Sequence, residues 1–155
     1  MNTSDDIQVV TFLVGPQEFA FDILQIERIL RYEPPARLPQ APDFLEGVVQ
    51  YGGGAVPVVD LRKRFQLEAA IREETRLMIV DLGDQWVGVV VDEVREVLRV
   101  DSRTITAPGP MVRGLAGAYI SGVVTRPART IIIFNARKLL SSTERLALSA
   151  IGSAQ

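Results

Sequence analysis

An all-β protein built from two related units is the fold the sequence predicts, and three observations predict it. The stretch GVVQYGGGAVPVVDLRKRF, from Gly47 to Phe65, returns as GVVTRPARTIIIFNARKLL, from Gly122 to Leu140, at a constant offset of 75 positions. An upstream stretch repeats at an offset of 68, with Phe19, Phe21, Ile23, Ile26 and Ile29 falling on Val87, Val89, Val91, Val94 and Val97. The apolar runs are short, rich in β-branched and aromatic residues, and closed by Gly or Pro. Residues 7–65 and 75–140 are therefore read as two versions of one β unit within a single domain spanning 1–155, the second longer by seven residues before its last hairpin. A solenoid needs three or more repeats to bury a continuous core, so two facing subdomains are expected instead.

The elements follow in order. Residues 1–6 are polar and are expected to fray. Ile7 to Val14 (IQVVTFLV) is a strand, Gly15-Pro16 a turn, and Glu18 to Ile23 a second strand with Phe19, Phe21 and Ile23 on one face. Ile26, Ile29 and Leu30 fit either a continuing strand or a helical turn. The segment EPPARLPQAPDF, residues 33–44, is a loop, because each Pro lacks a donor and holds its predecessor extended. Asp43 can cap a helical turn at Phe44, Leu45 and Glu46.

The repeated hairpin then turns at Gly52-Gly53-Gly54. Pro57 places its part of the second strand at an edge or a bulge. A polar connection over 66–74 leads to the strands Arg76 to Asp81 and Trp86 to Val91, whose nearly continuous apolar character suits burial on both faces. The last hairpin crosses Thr125 to Arg129. Ser141 and Glu144 fit a capping box within a closing helix over about 136–151, which breaks near Ser141.

At 155 residues, 47% hydrophobic and 23% charged, the chain suits one ordinary globular domain. A net charge of −2 argues against an extended nucleic-acid surface. No run approaches the roughly 18 apolar residues of a spanning helix, and MNTSDDIQ lacks the basic start and apolar centre of a signal peptide, so a cytoplasmic location is expected without direct membrane insertion.

The chain has neither Cys nor His. That excludes disulfides, thiolate nucleophiles, Ser-His triads, imidazole metal ligands and a phosphorylatable histidine. An enzyme would have to work with carboxylates, Lys, Tyr and Arg alone, and the rival enzyme reading is a carboxylate-dependent hydrolase, which needs two carboxylates converging in a pocket. The adjacent pairs Asp5-Asp6, Glu73-Glu74 and Asp92-Glu93 are not poised for that role, since neighbours in a strand point to opposite faces, and they read as solvated surface. The three glycines resemble a phosphate cradle only superficially, because they lead into a strand and not a helix N-terminus.

Arg62-Lys63-Arg64 offers a charge for an anionic partner, but nearby carboxylates favour a solvated segment. Asp60 could be a phospho-acceptor or a base. Its counterpart Asn135 can be neither, so both are read as accepting from backbone donors at a strand end. No metal or cofactor is expected. Apolar residues remain to spare around Ile26, Ile29, Leu38, Tyr51, Val97 and Met111, which suggests an interaction module. A groove for proline-rich peptides is a rival binding mode, and would need an aromatic lining.

The ordered set FLVGPQEFAFDILQIERI, LPQAPDFLEGVV, VPVVDLRKRF, TRLMIVDLG, VGVVVDEVREVL and YISGVV resembles the CheW family of chemotaxis coupling proteins from about residue 7 to 145. The resemblance implies two five-stranded SH3-like β-barrels with short helices and a C-terminal helix. It also implies a non-catalytic adaptor that joins the cytoplasmic tip of methyl-accepting chemoreceptors to the regulatory domain of the histidine kinase CheA, within arrays at the inner membrane. The family's receptor-facing region would fall on Ile26, Arg28, Ile29, Gly47, Gly52 and Val97, and a kinase-facing loop on Pro108, Pro110 and Met111. Two positions depart from the family. Arg28 stands where an acidic residue is common, and Gly52, within Gln50-Tyr51-Gly52-Gly53, stands where an Arg is common. The resemblance therefore extends to a divergent array, or to an accessory or competing scaffold that binds only one of the two partners.

Overall fold

The computed structural model describes residues 6–107 and 119–153. Its ten strands are β1 (Asp6–Val14), β2 (Gln17–Asp22), β3 (Ile26–Arg31), β4 (Leu45–Tyr51), β5 (Gly54–Asp60), β6 (Arg76–Asp81), β7 (Trp86–Val91), β8 (Glu93–Asp101), β9 (Ile120–Arg126) and β10 (Arg129–Phe134). A one-turn helix α1 (Leu61–Arg64) follows β5, and α2 (Ser142–Ser153) closes the chain. The strands form two five-stranded sheets ordered β8-β1-β2-β10-β9 and β3-β6-β7-β5-β4, each an SH3-like barrel.

The two orders carry the duplication. Offsets of 68 and 75 turn β1, β2, β3, β4 and β5 into β6, β7, β8, β9 and β10. Applying that exchange to the first sheet reproduces the second, strand for strand. Yet neither repeat builds a sheet alone. Residues 7–65 give β1 and β2 to one sheet and β3, β4 and β5 to the other, and residues 75–140 reciprocate. The sequence units and the sheets thus have different boundaries, because the chain crosses between sheets at the 3₁₀ turn Ile23–Gln25 and again after Val91.

Alternation along the strands sends side chains into three apolar layers. Val9, Ala20, Val124, Ile131 and Ile133 fill one barrel, while Val58, Leu77, Ile79 and Val90 fill the other. The opposite faces meet in a shared layer containing Phe12, Phe19, Phe21, Met78, Val89 and Phe134. Rings stack there, with centroids 4.6 Å apart for Phe19 and Phe134 and 5.0 Å for Phe12 and Phe21. Because β6 and β7 serve both a barrel interior and the shared layer, Leu77–Val80 and Val87–Val91 are buried throughout, as their continuous apolar runs imply.

The turns explain several glycines. Gly52 and Gly53 take φ of 59° and 81° between the paired residues Tyr51 and Gly54, a conformation that strongly favours Gly. Gly47 and its counterpart Gly122 lie at sheet irregularities where an extended segment crosses the strand. An added Cβ would lie 2.4 Å from the Ala36 carbonyl oxygen in one case and 2.2 Å from Ile105 Cγ2 in the other. The neighbouring bridges are equivalent too, Ala36 with Val48 and Thr106 with Val123.

Pro57 lies at a local edge, as expected, because β5 pairs with β7 only from Val58 onward. Opposite it, Val48 turns its N–H and carbonyl to Ala36, so the missing Pro57 donor leaves no bond unmade. Three expectations need correction. Phe44 to Glu46 forms no helical turn, since β4 already starts at Leu45. Arg62 is not solvated: it is 1% exposed and ion-paired with Asp60 and Asp92. Asp92 is consequently structural and not open surface, accepting from Arg62 and, at 2.7 Å, from the Gly15 N–H.

Candidate functional site

The strand ends are built as the duplication requires. Asp60 accepts from the Arg62 N–H at the start of α1, and Asn135 accepts from the Arg137 N–H at the start of the 3₁₀ turn Ala136–Lys138. A carboxylate and an amide therefore do one job, which leaves Asp60 no free oxygen for chemistry, because both also bind the Arg62 guanidinium at 3.0 and 2.9 Å. Burial alone would lower the Arg62 pKa, but its bonds to Asp60 and Asp92 raise it. The guanidinium also donates to the Ala70 carbonyl, so one buried cation fixes β5, the connection over 66–74 and the start of β8.

Next to it, Arg64 pairs with Glu144 of α2 and donates to the Leu139 carbonyl. Ser141 and Glu144 complete the reciprocal capping box, at 2.9 and 3.1 Å. Burial would raise the Glu144 pKa, but the Arg64 bond and the Ser141 N–H hold it below the usual carboxylate range. These are architectural pairs. Among the described residues no group of acidic side chains is arranged to hold a metal ion.

Arg28, Tyr51 and Gly52 come together at one end of the second sheet. Arg28 on the edge strand β3 donates from Nε to the Tyr51 hydroxyl at 3.2 Å, and its guanidinium lies 6.0 Å from the Tyr51 ring centroid. The Tyr51 hydroxyl in turn donates to Glu27 at 3.4 Å. Hydrogen bonding to Tyr51 raises the already high Arg28 pKa, so this exposed cation stays charged. Gly52 follows Tyr51 directly, and a Cβ there would lie 2.8 Å from Trp86 Cζ3. Trp86 packs on Tyr51 with ring centroids 5.5 Å apart.

The remaining positions divide. Ile26 is partly buried against the shared core, whereas Ile29 is 38% exposed on the same strand. Gly47 is buried at the Ala36 crossing and presents no surface. Val97 lies on β8, the edge of the other sheet, and is 52% exposed. Ile29 and Val97 are equivalent under the offset of 68, so the duplication leaves an open apolar residue at the same place on each outer strand. Pro108, Pro110 and Met111 fall outside the described residues. Sequence reasoning missed Trp86 and Glu27, since neither the Gly52–Trp86 approach nor the Glu27–Tyr51 bond has a signal in local spacing.

The comparisons with known proteins agree with this architecture. The family model described as CheW-like domain matches residues 8–144. The chemotaxis protein CheW of Klebsiella aerogenes is 33% identical over 138 residues, which cover 88% of this chain and 83% of that one. Protein FrzA of Myxococcus xanthus is 30% identical over 141 residues, covering 89% and 88%. The crystal structure of the scaffolding protein TtCheW from Thermoanaerobacter tengcongensis superposes with a TM-score of 0.76 at 28% identity, covering 83% of this chain and 88% of that one. No helix among the described residues is long and apolar enough to cross a membrane. The chain belongs to the CheW-like family, the non-catalytic scaffold proteins of chemotaxis signalling.

Proposed function

We propose that this protein couples the cytoplasmic tip of chemoreceptors to the regulatory domain of the histidine kinase CheA in a signalling array. The observation that carries the receptor side is the outer strand β3, which offers Ile29 and the charged Arg28 next to Tyr51 and the β4–β5 turn. A receptor helix laid along it meets an apolar contact beside a fixed cation. A few anchors that become fully buried on binding supply most of an interface's affinity. Val97 extends the receptor-facing set to the other barrel, and by resemblance to the family the kinase-binding role falls on Pro108, Pro110 and Met111.

Arg28 sets partner choice. A cation where the family resemblance implies an acid repels a receptor surface shaped for that acid and attracts the opposite one, so the array served is a divergent one. The test is isothermal titration against the chemoreceptor tip and the kinase regulatory domain encoded in the same genome, each separately. Binding to both supports coupling. Binding to one alone makes the protein an accessory or competing scaffold, and binding to neither contradicts the proposal. Arg28→Glu is expected to weaken the native receptor about tenfold and to improve binding to a receptor that pairs with an acidic partner.

A further inference from the structure

The duplication builds one corner twice, and the two copies differ in what fills them. In the first, the end of β5, the Gly15 turn and the start of β8 meet around the Arg62 guanidinium. Asp60 and Asp92 give it carboxylates, the Ala70 carbonyl accepts from it, and Asp92 also accepts from the Gly15 N–H. In the second, the offsets of 75 and 68 put Asn135 for Asp60, Arg137 for Arg62 and Gly83 for Gly15. The backbone is preserved. Asn135 accepts from the Arg137 N–H as Asp60 accepts from that of Arg62, and the Arg137 guanidinium lies against Gly83, with Nε 3.2 Å from where a Cβ would stand.

The carboxylates are not preserved. Asn135 is an amide, and the side chain brought to it from the 3₁₀ turn is a second amide, Gln25, which donates to Asn135 at 3.5 Å and accepts from the Ala136 N–H at 3.4 Å. The acids of the β6–β7 turn are engaged elsewhere, Asp81 by the Gly83 N–H at 2.7 Å and Asp84 by Arg145. The covering segment differs too: the counterpart of residues 66–74 is 141–149, most of which runs in α2, where Glu144 pairs with Arg64 and Leu148 packs in the shared core. Arg62 is therefore buried, whereas Arg137 is exposed and its guanidinium has neither hydrogen bond nor ion pair among the described residues. We propose that the Arg137 corner is a docking site for an acidic segment of a protein partner, which supplies the carboxylate that the chain itself supplies to Arg62. Strand register places this corner at the end of the second sheet that carries the β4–β5 turn: Ile26 pairs with Val80, Asp81 with Trp86, and β5 runs parallel to β7. That end faces the receptor in the coupling reading, on which the identity of the partner rests, so the acidic segment belongs to the chemoreceptor tip.

The experiment titrates the full-length protein with the receptor-tip fragment encoded in the same genome, by calorimetry, for wild type, Arg137→Ala and Asn135→Asp, with a thermal melt of each. Asn135→Asp converts the second corner into the first: it keeps the cap on the Arg137 N–H and gives the guanidinium an internal carboxylate, as Asp60 does for Arg62. Arg137→Ala is expected to weaken receptor binding about tenfold with a melting temperature little changed, since it removes an exposed side chain. Asn135→Asp is expected to weaken binding about fivefold while melting at or above wild type, because the cation is now occupied from within. Wild-type affinity in either variant, or a loss of affinity seen for the kinase regulatory domain and not for the receptor tip, overturns the docking site and leaves coupling standing. A lowered melting temperature in both variants makes Arg137 an architectural residue and overturns it equally. No binding by wild type overturns the receptor side of the coupling reading, and the docking site with it.

Discussion

Arg62 shows at the scale of one residue how a charge becomes a structural part. It is buried, and its partners Asp60 and Asp92 lie on segments far apart in sequence. Removing the cation strands two carboxylates where solvent reaches poorly, so Arg62→Met is expected to cost about 3–5 kcal/mol, read by denaturant unfolding. Arg62→Lys loses the paired contact with Asp60 and should fall between the two. This role was illegible in the run Arg62-Lys63-Arg64, because local composition cannot show that Asp92 folds back onto it. The role of Asp60 was legible, since its counterpart Asn135 shares its place in the repeat and only one task suits both side chains.

Glu144 gives the pH dependence. Its pKa is lowered in the folded state, so its contribution is complete above the ordinary value of 4.5, declines as pH falls below it, and disappears once pH passes the folded value. Glu144→Gln keeps the cap but loses the ionic bond to Arg64, and should destabilise by about 1 kcal/mol at neutral pH. Thermal melts of the two proteins should converge as pH drops below that range. A gap that persists unchanged in acid would contradict the assignment.

At the scale of elements, turn chemistry was readable and crossings were not. Gly15-Pro16, the glycines after Tyr51 and the Ser141–Glu144 box were legible because each rests on neighbours in sequence. The Ala36 crossing over Gly47 and the Ile105 approach to Gly122 are tertiary, although their equivalent places in the duplication offered a clue. Gly47→Ala must push the Ala36 carbonyl aside and break the bridge to Val48, and is expected to cost about 2–4 kcal/mol, measured as a fall in the unfolding midpoint. Gly53→Ala meets nothing within 4 Å, so only its positive φ opposes it and the loss should be about 1 kcal/mol. The contrast separates crowding from backbone conformation.

The whole molecule is an exchange between two copies of one unit. The duplication was plain in the sequence, but an offset says which strands correspond and not which strands pair. Each sheet needs two strands from one repeat and three from the other. Fragments 1–73 and 74–155, divided in the exposed connection, should therefore fail to fold alone and assemble as a one-to-one complex when co-expressed. A fragment that folds by itself would contradict the interlocked arrangement.

The candidate surface was legible only through resemblance. Of the apolar residues read as spare, Ile29 and Val97 are exposed, whereas Ile26 and Leu38 pack against the shared core and Tyr51 against the second barrel, and the Arg28–Tyr51–Trp86 grouping depends on a sheet whose first and last strands return to one another. Coupling itself is a property of three components, and the most direct measurement has all three present. The kinase regulatory domain is passed over immobilised receptor tip, with and without this protein. Retention of the kinase domain only when the protein is present, reduced by Arg28→Glu, is the predicted result. Equal retention in its absence, or none in its presence, would contradict the account.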